Sequence, residues 1–91
     1  MNPVAALLRH EGIVVHESIE YKGCVILPIT TSTTFETDSE SMYRGGYEIS
    51  KDGKTLRVRR NLFPKFFYID AAVTDSIEYA KLEIDNLVGT P

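Results

Sequence analysis

The sequence predicts an α+β domain: an antiparallel meander of three to four strands, with one C-terminal helix packed across a face. Three observations carry this. Asp52-Gly53 stands between two alternating runs, "YEISK" and "KTLRVR", a strong short-range hairpin signal. Val73, Ile77, Ala80, Ile84 and Leu87 recur at the spacing of one helical face. The run "CVILPI" at residues 24–29 has the length and β-branched content of a strand.

The elements follow in order. Asn2 as cap, Pro3 at the first helical position and Gly12 as stop read as a short helix over residues 1–12, or a flexible arm. Residues 13–21 alternate only in part. In the next run Val25, Leu27 and Ile29 point to one side and Cys24 and Ile26 to the other, so the strand is apolar on both faces. Pro28 cannot donate to a ladder; the strand therefore belongs at a sheet edge, or holds Pro28 at a bulge or with its nitrogen facing outward. The threonines that follow can prolong it, and residues 35–43 read as a mobile, solvated loop.

A two-residue turn at Asp52-Gly53 places Lys51 opposite Lys54, Ile49 opposite Leu56, Glu48 opposite Arg57 and Tyr47 opposite Val58. Tyr47, Ile49, Leu56 and Val58 then share the core side. Arg44, Glu48, Ser50, Thr55, Arg57 and Arg59 share the wet one. Gly45-Gly46 marks a bulge or a close backbone approach. "KFFYI" is either a short strand or an apolar lead into the helix. The sheet spans 13–69 and the helix 70–88, with Asp70 as N-cap and Glu78–Lys81 and Lys81–Asp85 pairs on its wet side.

With 91 residues the chain forms one domain over 1–91. Its 43% hydrophobic and 25% charged residues place it among globular proteins, outside the disordered class. The lone cysteine, Cys24, reads as a small buried hydrophobe in a reducing compartment. No segment has the length of a membrane helix or the layout of a signal peptide, so the expectation is a cytoplasmic protein with no membrane association. The net charge is −3, unevenly spread. Residues 43–69 carry seven bases against Glu48 and Asp52, between two acidic ends.

"EYKG", "YRGGYEISKDGKTLR" and "EYAKLEID" occur in this order over roughly residues 20–86. In this the chain resembles short bacterial proteins with no assigned activity. The resemblance implies a small sheet with one helix, and it brings no catalytic or binding residue.

Two surfaces are candidates for function. Arg44, Lys54, Arg57, Arg59, Arg60 and Lys65 form a basic set that suits phosphates or an acidic protein. Against nucleic acid stand Glu48 opposite Arg57, a negative total charge and a basic face without aromatics for stacking. Phe63, Phe66 and Phe67, the candidate apolar interface, form an aromatic set with Tyr68. Either they fill the core under the helix, or some line a patch for a partner. His10 and His16 match no metal-ligand spacing and read as exposed surface histidines. No phosphate loop, nucleophile elbow or cofactor fingerprint is present, so no catalytic residue, metal or cofactor is expected. The reading is a non-enzymatic domain that binds a protein partner or a second copy of itself, with nucleic acid as the alternative.

Overall fold

The computed structural model describes residues 9–35 and 42–87. The chain is α+β: an antiparallel sheet of several strands, with one helix at the C-terminal end lying across a face. In chain order the elements are β1 Arg9–Val15, β2 Ile19–Tyr21, β3 Cys24–Phe35, β4 Met42–Arg44, β5 Tyr47–Lys51, β6 Lys54–Arg59, β7 Lys65–Phe66 and the helix α1 Ile69–Leu87. Among the described residues the sheet has seven strands, more than the three or four expected. The extra ones are short, and residues 9–12, read as helix or arm, belong to β1. The rest of that segment, residues 1–8, lies outside the described residues. So does most of the loop expected at 35–43, of which Phe35 ends β3 and Met42 starts β4.

β3 is the centre of the molecule, not its edge. One of its edges pairs with β2 and then β1, the other with β5 and then β4. Pro28 is tolerated there because the ladder is interrupted beside it. Val15 pairs with Ile29 and Ile19 with Ile26, so four steps along one strand face three along the other. That extra residue is a bulge between β1 and β2, the setting in which a strand proline survives. The Pro28 carbonyl still accepts from the His16 amide at 2.9 Å.

Both tight turns are built from residues in the left-handed region. Lys22 and Gly23 (φ 49° and 80°) join β2 to β3, and Asp52 and Gly53 (φ 52° and 80°) join β5 to β6. Positive φ at both central positions is the type I′ geometry whose twist matches paired strands.

The core lies between β3, β5 and α1. Cys24, Ile26, Tyr47, Ile49, Ala80 and Ile84 are buried together, with Ile19, Tyr21, Leu56 and Leu62 packed at the margin. Thus Cys24 is a buried apolar side chain, as expected. The helix seam is Ala72, Ser76, Ala80 and Ile84. It runs beside the predicted stripe: Ala80 and Ile84 belong to both, while Leu87 is 38% exposed.

The small seam follows from Gly45-Gly46. A Cβ on Gly45 would overlap Ser76 Oγ and come within 2.8 Å of the Ala72 carbonyl. Ser76 Oγ accepts from the Gly46 amide at 2.9 Å and donates to the Ala72 carbonyl at 2.7 Å. A sheet backbone this close leaves room only for small helix side chains. The helix begins at Ile69, so Asp70 sits in its first turn rather than at the cap position.

Candidate functional site

The basic hairpin departs from its predicted register. The pairs nearest the turn are as expected, Lys51 with Lys54 and Ser50 with Thr55. Beyond them Ile49 pairs with Arg57, Glu48 with Val58 and Tyr47 with Arg59, because an extra residue enters β6 between Thr55 and Arg57. A one-residue slip exchanges the two faces of a strand. Arg57 and Arg59 therefore stand on the side of Tyr47 and Ile49, toward α1, and Val58 turns outward with 49% of its surface exposed. Leu56, at the bulge, still packs against the core.

Glu83 of α1 gathers both arginines. Arg57 Nε donates to Oε2 at 3.0 Å; Arg59 donates from Nε to Oε1 at 3.4 Å and from Nη2 to Oε2 at 3.3 Å. The Tyr47 hydroxyl donates to Oε1 at 2.5 Å. Burial pushes the Glu83 carboxyl up, but hydrogen bonds from Tyr47, Arg59 and Arg57 outweigh it and hold the group below its ordinary value. Tyr47 is pushed up to about 12, first by burial and then by its bond to the Glu83 carboxylate. The expected cross-strand pairing of Glu48 with Arg57 does not form; Glu48 accepts from Thr55 Oγ1 at 3.2 Å instead.

A second anchor stands on the other flank of the helix. Asp85 accepts from Lys22 Nζ at 2.6 Å and from the Tyr21 hydroxyl at 3.0 Å. Successive helical residues are about 100° apart, so Glu83 and Asp85 flank the buried Ile84 symmetrically. One holds the β5–β6 hairpin and the other the β2–β3 turn. Lys22 and Lys81 each lie 5.4 Å from the centre of the Tyr21 ring.

The other basic residues of the set stand at the hairpin tip, just after β6 and in the β4–β7 pair. Lys54 is at the hairpin tip, opposite Lys51. Arg60 is exposed just after β6. Arg44 lies opposite Lys65 in the β4–β7 pair, and Tyr43 opposite Phe66.

The aromatic segment divides. Phe66 is half-buried opposite Tyr43, whereas Phe63 is 90% exposed and Phe67 62% exposed. Tyr68, the tyrosine of the same run, is 76% exposed. Leu62 is the residue of this segment that reaches the core margin, fixed by its amide bond to the Gly45 carbonyl at 2.9 Å. Asn61, at φ 54°, makes the turn that leads into it. "KFFYI" is thus both a two-residue strand and a lead into the helix.

His16 is half-buried, not exposed, with Nε2 2.8 Å from Thr30 Oγ1. Among the described residues no three His, Cys, Asp or Glu side chains converge as a metal site would require, and no helix is long and apolar enough to cross a membrane. Asp75 has a buried Oδ2 without a hydrogen-bond partner among the described residues, and burial pushes its carboxyl up.

The chain matches no protein-family model, no curated protein and no solved structure.

Proposed function

We propose that this chain acts by binding protein through the surface formed by Phe63, Phe67 and Tyr68, with a second copy of itself as the first occupant to test. One observation carries the reading: three large aromatic side chains within six residues are 90%, 62% and 76% exposed. Each offers about 150–250 Å² of mostly apolar surface, so the three leave roughly 450 Å² in water. Patches of that size on monomers are often functional, and aromatic side chains are the ones enriched at interface centres. The two-residue strand β7 holds this segment at an edge of the sheet, where β4 is its one strand partner among the described residues.

Sedimentation equilibrium across a concentration series tests the proposal. Association should appear with rising concentration, change little with salt and disappear in Phe63→Ser/Phe67→Ser, whose side chains are exposed enough to spare the fold. A chain that stays monomeric throughout, or a double variant that associates as before, overturns it.

Nucleic-acid binding has one observation of its own. Lys65, paired across the sheet with Arg44, sits between exposed aromatics, and cations interleaved with stacking surfaces suit single strands. Arg57 and Arg59, by contrast, are engaged by Glu83. Binding of mixed-sequence single strands that weakens steeply with salt marks this reading.

A further inference from the structure

The clamp around Glu83 leaves a groove that the bonds within it do not explain. It lies between β6 and the outer flank of α1, is open to solvent, and has a volume of about 680 Å³. Arg57 and Arg59 form one wall, with side chains 47% and 56% exposed. Tyr47 and Glu83 lie between them and a second wall of Leu62, Tyr79, Leu82, Asn86 and Leu87, of which Tyr79 is 44% and Leu82 61% exposed.

Two guanidinium cations meet one carboxylate there, leaving a surplus positive charge. The pair carries about ten N–H donors, and bonds to Glu83 and the Leu56 carbonyl use four of them. Unspent donors in a fixed fork suit a second carboxylate, and leucine side chains across from them suit aliphatic neighbours. An open groove does not enclose a small molecule, which in ordinary sites is mostly buried. It can hold a segment carried by something larger. A nucleic acid fits less well: the wall facing the arginines is mainly leucine, which offers little to stack bases on.

We propose that this groove binds an extended acidic segment of a partner protein, in which Glu or Asp alternates with aliphatic residues. The carboxylates meet Arg57 and Arg59, and the aliphatic side chains lie on Leu82 and Leu87. This site is separate from the Phe63–Tyr68 surface and does not depend on it.

The test is an amide NMR titration of the full chain with the peptide acetyl-Leu-Glu-Leu-Glu-Ala-amide, against the same peptide with Gln in place of each Glu. The acidic peptide should shift Arg57, Arg59, Tyr79, Leu82 and Leu87, and the Gln peptide should bind at least about tenfold more weakly. Arg59→Gln also disturbs the Glu83 clamp, so the informative variant is Leu82→Ser, at a position 61% exposed. It should weaken the acidic peptide several-fold with the rest of the spectrum unchanged. Equal binding of the two peptides, no shifts up to about 5 mM, or shifts confined to residues 63–68 overturns the proposal.

Discussion

Glu83 decides more of the local structure than any other single residue. It is a mostly buried carboxylate that needs its partners, and three side chains from two strands meet it. Glu83→Gln keeps the shape and removes the charge. Because the guanidiniums are half-exposed and screened, the expected loss is only about 1–2 kcal/mol, read from urea unfolding at pH 7. The pH dependence has a defined sign. The folded-state value of Glu83 is depressed, so its contribution is complete above the ordinary carboxylate value of 4.5 and is lost as pH falls through the folded value. The variant should lose that part of the acid destabilisation. Tyr47 works at the other end of the scale. Its folded value is raised from 10.0 to about 12, so the stability it confers is complete below pH 10 and lost as pH rises through the folded value. Tyr47→Phe should flatten that alkaline fall. Asp75 gives the opposite case. Burial raises its value and its Oδ2 has no hydrogen-bond partner among the described residues, so the ionised group costs stability at neutral pH, and Asp75→Asn should raise the unfolding midpoint there.

At the level of elements, the meeting of α1 with β4 and β5 is set by Gly45 and Ser76. Gly45→Ala places a methyl group against Ser76 Oγ and the Ala72 carbonyl, and the backbone atom has little room to give. The expected cost is about 3 kcal/mol in chemical denaturation, as for overpacking of a tight core. Much of this architecture was legible in the sequence. Asp52-Gly53 fixed a turn, Gly45-Gly46 signalled a close approach, and the helix lies within a residue of its expected start and end. The β6 register was not legible beyond Thr55. Alternation along "KTLRVR" assigns Arg57 and Arg59 to the wet side, and it is overridden by a carboxylate 24 or more residues away in α1. Pro28 left an edge, a bulge or an outward nitrogen open, and the bulge in the neighbouring strands is the one that occurs, leaving the proline nitrogen without a ladder to serve. The helix stripe was offset because spacing alone cannot register that glycines opposite demand Ala and Ser in the seam.

Across the whole molecule, the division is between a packed body and a projecting ribbon. Extents of 56 × 25 × 20 Å and a radius of gyration of 15.6 Å exceed the roughly 12 Å of a compact domain of this length. β1 rests on β3 and makes no substantial contact with α1, and Ile13, Val14 and Val15 are exposed. Amide exchange should therefore be fastest in β1 and slowest in β5, the Cys24–Ile29 part of β3 and the middle of α1. Neither surface proposed for binding could be read as a unit from the sequence. The aromatics were visible as a cluster, but which of them faced water depended on how Leu62 and β7 seat the segment, with Phe66 half-buried and Phe63, Phe67 and Tyr68 exposed. The groove beside Glu83 exists only because the hairpin slips by one residue. That slip links the residue, element and surface levels, and cross-strand nuclear Overhauser contacts in the labelled protein measure it directly. The account predicts Glu48 opposite Val58 and Tyr47 opposite Arg59. Contacts placing Glu48 opposite Arg57 and Tyr47 opposite Val58 would return both arginines to the wet face and remove the clamp and the groove together.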